Sequence, residues 1–210
     1  LLEPGGPHHG AVTKHPRIRL HVMELAGQMK IPFTTGLLIG IGETAGERVD
    51  SLLAIRAIHE RFGHIQEVII QNFRAKPTIP MHDHAEPTLE EMLRTTAVAR
   101  LILGPSMNLQ APPNLTQDYG RLLEAGINDW GGVSPLTRDF INPEAPWPHL
   151  EDLRRVTEGR GCVLRQRLPI YPEYILERRE YLPSELAERI RGAVDEDGLV
   201  PDHATANERE

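Results

Sequence analysis

The stretch FTTGLLIGIGE, residues 33–43, decides how this chain of 210 residues is expected to fold. An apolar run that ends in Gly-Ile-Gly-Glu and precedes an amphipathic helical pattern predicts a buried parallel strand, followed by a tight loop and a helix. Gly40 and Gly42 permit positive φ and let a ligand approach the backbone closely. Thr44 and Glu47 form a capping-box pattern, so part of this signal reflects only how the helix begins.

The composition is that of a globular protein that is not specialised for nucleic acids or membranes. Hydrophobic residues make up 40% of the chain, and the formal net charge of −7 argues against a nucleic-acid-binding surface. No apolar run is long enough to span a membrane and no signal-peptide pattern opens the chain, so we expect a cytoplasmic location. The single cysteine, Cys162, lies in no metal-binding spacing.

Strand and helix patterns alternate along most of the sequence. Helices are predicted near residues 16–29, 44–62, 88–103, 114–125 and 150–157, and strands near residues 33–39, 65–73, 107–110 and 127–130. Residues 162–168 are predicted to be extended and residues 174–193 to be helical. The acidic sequence from Val194 onward is predicted to be disordered or a linker.

Four strand-then-helix units predict an α/β fold with parallel strands. Polar residues collect where each strand gives way to its loop, which favours a barrel because its active face is built from these loops. Eight units need about 250 residues. The opening LLEPGGPHHG also resembles a loop entered in mid-fold. We therefore expect the C-terminal half of a TIM-type β/α barrel at residues 1–182, with a C-terminal helical extension and a tail or inter-domain linker at residues 183–210.

The strand-end side chains predict a site for a planar, uncharged ring system such as a pyrimidine or flavin. The residues expected to converge there are Asn72, Asn108, Gln110, Asn114 and Asp129. Arg74 would add a contact to a ribityl or carboxylate group. The alternative for each residue is that it caps a turn or a helix.

Few of these strand-end side chains are titratable or nucleophilic, so they are poorly suited to catalysis without a cofactor. The sequence contains no convincing Ser-His-Asp order, Cys-His pair or Walker-type loop. The run from His82 to His84 has no clear third ligand nearby, so no metal site is predicted. An amide-rich and glycine-rich pocket favours an enzyme whose cofactor performs the difficult step.

The sequence resembles the radical S-adenosylmethionine enzymes. Residues 33–43 look like their fifth-strand motif, Gly-x-Ile-x-Gly-x-x-Glu, with Leu38 at the isoleucine position. Three further segments carry a close resemblance to the deazaflavin (FO) synthases: QNFRAKP at residues 71–77, QAPPNL at 110–115 and NDWGGVSP at 128–135. The similarity lies in the part that corresponds to their archaeal small subunit and to the N-terminal half of the fused bacterial enzyme.

This resemblance covers roughly residues 1–180 and implies a lyase that uses a 4Fe–4S cluster and S-adenosylmethionine. In the family, a 5′-deoxyadenosyl radical cyclises a hydroxybenzyl-ribityliminouracil intermediate, with loss of ammonia, to the FO chromophore of the deazaflavin coenzyme. The residues implied to line or support the adenosyl pocket are Gly36, Leu38, Gly40, Gly42 and Glu43. The later strand ends would face the small-molecule substrate, and Asp129 would bind or deprotonate it.

The cluster-binding motif Cys-x-x-x-Cys-x-x-Cys is absent from this sequence. The resemblance therefore implies cluster ligands outside this chain, in a missing N-terminal barrel half, and an inactive chain when it is expressed alone. A second FO synthase domain or subunit is a further expected partner.

Two alternatives remain open. Another radical enzyme, of the biotin-synthase type, would share residues 36–43 but lack the segments at 110–114 and 129–135. A non-enzymatic barrel half would hold a phosphate or other ligand on the loop at residues 40–44 and would need no cluster.

Overall fold

A computed structural model describes residues 1–134 and 136–201. At its centre is a parallel sheet of three strands in chain order, β1 (Phe33–Ile39), β2 (Ile65–Asn72) and β3 (Leu109–Gln110). A parallel bridge between Gln110 and Asp129 adds a fourth segment beside β3. Strand order follows chain order without reversal, as in a barrel and unlike a doubly wound sheet. The α/β prediction is confirmed, and the sheet is consistent with part of a barrel.

The helices alternate with these strands over the first part of the chain. They are α1 (Pro16–Gln28), α2 (Ala45–Phe62), α3 (Leu89–Leu103), α4 (Arg121–Glu124), α5 (Leu150–Glu158), α6 (Pro172–Leu176) and α7 (Ser184–Arg191). Short 3₁₀ turns lie at Val12–Lys14, Pro113–Leu115 and Arg179–Tyr181. Both predicted capping boxes are present, at the starts of α2 and α3. In the described part of the chain, none of the helices has the length and apolar character needed to cross a bilayer.

Helices pack on one face of the sheet, and the other face is partly exposed. Ile39 is fully buried in a core that includes Leu52 of α2 and Met92 of α3. Its neighbour Leu38 is 44% exposed, and Gly36 is also exposed. Because successive residues of a strand point to opposite faces, the helices cover one face of β1 and leave the other, the inner face, partly open.

Pairing register assigns the remaining strand residues to these two faces. The inner-face partners of Thr34, Gly36 and Leu38 are Glu67, Ile69 and Gln71 of β2. Gln110 pairs with Ile69 and also with Asp129, so both belong to the inner face. Asn72 pairs with Ile39, and it therefore lies on the helix-covered face.

The C-terminal segment packs at the amino-terminal end of β2. Tyr174 donates a hydrogen bond to Gly63 O at 2.9 Å, and Tyr181 donates to Phe62 O at 2.6 Å. Arg178 also donates to Gly63 O. These contacts satisfy carbonyl groups at the C-terminal end of α2 that have no partner within the helix.

The prediction of disorder from Val194 onward is wrong for residues 194–201. Val200 N donates to Gln166 O at 2.8 Å, and Arg165 pairs with Asp195 at 2.5 Å. The Asp195 carboxylate also accepts the N–H of Leu199 at 3.0 Å. An acidic segment is ordered here because its carboxylate finds an arginine and backbone donors. Residues 202–210 lie outside the described residues, and the predicted division after residue 182 stays a prediction.

Helix boundaries in the second half also differ from expectation. Asn114 lies in a 3₁₀ turn and starts no long helix, since α4 begins only at Arg121. The helix expected at 174–193 is divided into α6, a 3₁₀ turn and α7, with Pro183 directly before α7. Residues 162–168 form no strand in the described chain.

Candidate functional site

The loop after β1, residues 40–43, is closed by its own acidic residue, and we call it the glycine loop. The N–H groups of Gly40 and Ile41 donate to the two carboxylate oxygens of Glu43 at 2.8 and 2.9 Å. Arg48 of α2 donates to the same carboxylate at 2.7 Å. Glu43 therefore fills the anion-binding position that these backbone groups would otherwise offer.

This arrangement has an electrostatic consequence. Burial acts to raise the pKa of Glu43, but the backbone N–H groups and Arg48 outweigh it and lower that pKa overall. The phosphate-binding alternative loses support, because the donors that a phosphate would need are used by Glu43. The N–H of Thr44, at the start of α2, is taken by Glu47.

The glycines of this region are required for different reasons. A Cβ on Gly36 would collide with the carbonyl oxygen of Ile69, so close strand pairing excludes a side chain there. Gly40 has φ +86°, and a Cβ on it would lie 2.5 Å from Pro87. Gly42 has φ +100°, and the nearest atom to its Cβ position is 3.8 Å away. Gly42 is therefore the place in this loop where a ligand could approach the backbone.

Asn72 and Arg74 line a cavity of about 280 Å³ between the first turn of α3 and residues 115–118. Asn72 is 6% exposed and donates to Leu115 O at 3.0 Å. Its Oδ1 is buried and has no hydrogen-bond partner among the described residues. Arg74 pairs with Glu86 at 3.1 Å, and its buried Nε likewise has no partner among them. Asn72 and Arg74 thus line this cavity and each keep one buried polar atom without a partner among the described residues.

The expectation that the predicted residues converge on one face is wrong for Asn72 and for Asn108. Asn72 lies on the helix-covered face, whereas Gln110 and Asp129 lie on the inner face. Asn108 does not join the other predicted residues either. It lies just before β3, at the opposite end of the sheet from the strand-end loops. Its amide donates to Gln66 O at 3.0 Å and to Glu173 at 2.8 Å. The contact with Glu173 anchors the C-terminal segment to the sheet. Asn108 therefore has a structural contact at the end of the sheet that faces away from the strand-end loops.

Asn114 and Gln110 lie near the C-terminal ends of the strands. Asn114 donates to Asp139 at 3.0 Å and to Ala145 O at 2.9 Å, so it joins the loop after β3 to the following loop. Gln110 is 8% exposed, and its side chain occupies the space where a Cβ on Gly131 would lie. Both residues hold strand-end loops in place.

Asp129 is held by Arg167, which was not among the residues predicted from the sequence. The Nε of Arg167 donates to Oδ2 at 2.6 Å, and Nη2 donates to Oδ1 at 3.1 Å. The N–H of Gly131 also donates to Oδ1, at 2.6 Å. Asp129 is therefore a fixed hydrogen-bond acceptor, which does not favour the expected role as a free base.

Arg167 also reaches the acidic residue of β2. Its Nη2 donates to Oε1 of Glu67 at 3.1 Å, and the Tyr171 hydroxyl donates to the same oxygen at 2.7 Å. Thr34 donates to the other oxygen of Glu67 at 3.1 Å. We call Thr34, Glu67, Asp129, Arg167 and Tyr171 the inner-face cluster.

Charge in the inner-face cluster is not balanced, since one guanidinium group faces two carboxylates. Burial, followed by the nearby charge of Asp129, raises the pKa of Glu67 despite its hydrogen bonds. Burial also raises the pKa of Tyr171, so its hydroxyl remains a donor. A glutamate in a mainly apolar strand was a signal that could have identified Glu67, but no local pattern indicated Arg167.

The described residues do not supply the ligands of an iron–sulfur cluster. Cys162 is the single cysteine of the sequence and is exposed, whereas such a cluster is held by several thiolates. No group of three or more metal-ligating side chains occurs in the part of the chain that the structure describes. The open space beside Gly42 and the exposed inner face at Leu38 are compatible with a bound organic cofactor.

No protein-family model matches the chain. It is 56% identical over 201 residues to the 7,8-didemethyl-8-hydroxy-5-deazariboflavin synthase of Methanopyrus kandleri, covering 95% of this chain and 59% of that protein. It is 52% identical over 198 residues to the protein of the same name from Methanothermobacter thermautotrophicus, covering 90% of this chain and 60% of that protein. The FO synthase of Streptomyces avermitilis is 52% identical over 194 residues, covering 92% of this chain and 22% of that protein.

The chain therefore spans about 60% of the two archaeal relatives and a smaller part of the bacterial one. These identities extend well beyond residues 33–43, which are the part that a biotin-synthase-type enzyme would share. They confirm the resemblance stated from the sequence: nearly the whole of this chain is homologous to part of an FO synthase.

Proposed function

We propose that this chain acts in deazaflavin biosynthesis as part of an FO synthase and provides the C-terminal half of a radical S-adenosylmethionine barrel. The observation that carries the proposal is the identity of 52 to 56% with proteins named for this synthase over at least 90% of the chain. Parallel strands in chain order, with helices over one face, support a partial barrel.

The proposed partner is an N-terminal barrel half. In the described chain no strand lies on the far side of β1, and Gly36 and Leu38 leave its inner face exposed. An unpaired strand edge beside an open face is a place where further strands can add. We call this chain together with that N-terminal half the completed enzyme.

In the completed enzyme, the cluster and S-adenosylmethionine would supply the radical that abstracts hydrogen from the substrate. The cluster's thiolate ligands would come from the N-terminal half. Within this chain, Gly42 would let the cofactor approach the backbone, while Glu43 and Gly40 would hold the loop in shape. Gly36 and Leu38 would border the cofactor from the inner face.

The strand-end polar groups would bind the uracil-derived substrate. Asn72 and Arg74 line the cavity beside α3, and each has a buried polar atom without a partner among the described residues that a substrate could pair with. Gln110 and Asn114 would support the loops around the substrate. Asp129 Oδ2 accepts one hydrogen bond from the described residues, which leaves it a further acceptor position for a substrate N–H or O–H group.

The test is to reconstitute the completed enzyme with iron and sulfide under anaerobic conditions. We expect it to form the FO chromophore and 5′-deoxyadenosine from the hydroxybenzyl-ribityliminouracil intermediate, and we expect this chain alone to form neither. Cofactor cleavage without any FO would contradict the proposed reaction. A stoichiometric cluster on this chain alone would contradict the need for a partner half.

A pair of glycine variants tests the cofactor site. Gly42→Ala should weaken S-adenosylmethionine binding measured by calorimetry. Gly104→Ala is the matched control, because Gly104 also has positive φ and open space around its Cβ position but lies at the C-terminal end of α3. Equal affinities in the two variants would show that Gly42 serves only the turn.

A further inference from the structure

Arg167 joins three parts of the chain that are far apart in sequence. Its guanidinium group contacts Asp129, which is 38 residues away, and Glu67, which is 100 residues away. It lies 3.9 Å from the centre of the Tyr171 ring, within the range of a cation–π contact. The side chains of Arg167, Glu67 and Asp129 are only 19%, 8% and 14% exposed.

The geometry with Asp129 is more specific than a simple charge pair. Two nitrogen atoms of the guanidinium group bind the two oxygens of the carboxylate, which fixes the plane and direction of Asp129. The carboxylate in turn accepts the N–H of Gly131, the residue at which the strand-end loop turns with φ +76°. Arg167 thereby controls both the acceptor and the loop beside it.

We propose that Arg167 is a positioning residue of this site. It holds Asp129 with one acceptor position directed to substrate. Its positive charge also offsets the repulsion between the carboxylates of Glu67 and Asp129 on the inner face. This inference rests on the proposed function, because it assigns Asp129 to substrate binding in an FO synthase. Arg167 itself contacts neither substrate nor cofactor in this proposal.

The experiment compares Arg167→Gln, Arg167→Lys and the double variant Arg167→Gln/Glu67→Gln in the completed enzyme. Arg160→Gln is the matched control, because Arg160 also faces two carboxylates, Glu124 at 3.2 Å and Asp118 at 3.9 Å. Those two side chains are 63% and 59% exposed, so water can replace the arginine there. FO, 5′-deoxyadenosine, the folded fraction and the pH profile are measured for each variant.

For Arg167→Gln, corrected for the folded fraction, we expect FO formation to fall about tenfold or more, while 5′-deoxyadenosine formation falls by less than about threefold. Loss of the cation leaves two buried carboxylates side by side, so activity and stability should recover in part as the pH is lowered and one takes up a proton. The double variant also removes the carboxylate charge of Glu67, so it should recover part of the activity and part of the stability. Arg167→Lys keeps the charge without the two-point contact and should be intermediate.

Three outcomes would overturn the proposal. In the first, Arg167→Gln forms as much FO as Arg160→Gln. In the second, FO and 5′-deoxyadenosine fall together in proportion to the folded fraction. In the third, the double variant recovers neither activity nor stability. Failure of the proposed function is distinguishable, because the unaltered completed enzyme would then form no FO. Even if the completed enzyme formed no FO, recovery of stability in the double variant would show that Arg167 offsets the charges of Glu67 and Asp129.

Discussion

The glycine loop and the inner-face cluster each bury a glutamate to the same degree, yet the two glutamates differ electrostatically. The side chains of Glu43 and Glu67 are both 8% exposed. The pKa of Glu43 is lowered and that of Glu67 is raised. Glu43 has two backbone N–H donors and an arginine that binds it at 2.7 Å, whereas Glu67 shares its arginine with Asp129. Burial acts to raise the pKa of both glutamates, and only at Glu43 do the backbone donors and the arginine outweigh it.

The largest effect that follows from this difference is expected for Glu43→Ala. The variant leaves two N–H groups of the glycine loop unpaired and Arg48, which is 12% exposed, without its main partner. We expect a loss of about 3–5 kcal/mol in the free energy of unfolding, measured by denaturant unfolding. Glu60→Ala is the control, because Glu60 is 67% exposed and its pair with Arg56 should contribute less than about 1 kcal/mol. Similar losses in both variants would show that the loop does not depend on Glu43.

Replacement by glutamine sharpens the comparison, because it keeps the side-chain shape and removes only the charge. Glu43→Gln should cost about 1.5–3 kcal/mol, the range for hydrogen bonds to a charged group. Glu67→Gln should cost less than about 1 kcal/mol near neutral pH, because the remaining pair of Arg167 and Asp129 is balanced. Equal losses for the two variants, measured by the same unfolding method, would break the comparison.

The pH dependence of these two glutamine variants should have opposite signs. The folded-state pKa of Glu43 lies below the usual value of 4.5, so its stabilisation is present above pH 4.5 and is lost as the pH falls below it. The folded-state pKa of Glu67 lies above 4.5, so its contribution is present below pH 4.5 and is lost as the pH rises through the folded-state value. Unfolding free energies of both variants, relative to the unaltered chain across this range, test the signs. Parallel curves would contradict the prediction.

An effect smaller than that of either variant of Glu43 is expected at the start of α2. Thr44→Ala removes the side-chain acceptor of the Glu47 N–H, which it binds at 3.2 Å. We expect a loss of about 1 kcal/mol, with no change in the pH dependence attributed to Glu43. Thr44→Ser keeps the hydroxyl and is the control. A loss as large as that of Glu43→Ala would mean that the cap, and not the carboxylate, holds the glycine loop.

Local patterns predicted much of the first half of the fold. The strand at 33–39, the helix that ends before Gly63 and the two capping boxes depend on residues only a few positions apart, and each of these predictions is confirmed. The chain order of the strands also followed from the alternation of the patterns. Short-range periodicity is sufficient where neighbouring residues determine the geometry.

The candidate site was less predictable because its contacts are distant in sequence. Asn108 was placed with the strand ends although it lies just before β3, and Arg167 was overlooked because its partners are 38 and 100 residues away. The acidic composition after Val194 suggested disorder, but the pair between Arg165 and Asp195 and the backbone contacts of Leu199 and Val200 order these residues, and composition alone could not predict those contacts. Placement of these side chains depends on tertiary packing, which periodicity does not report.

The position of Arg167 in the chain also affects how the protein is made. During translation, Glu67 and Asp129 leave the ribosome before Arg167, and Tyr171 follows last. The only cation of the inner-face cluster is therefore synthesised after both of its acidic partners. The contact between Arg167 and Glu67 closes a loop of 100 residues, which costs more chain entropy than a contact between neighbouring residues. The inner-face cluster can therefore be completed only after the C-terminal segment has been synthesised.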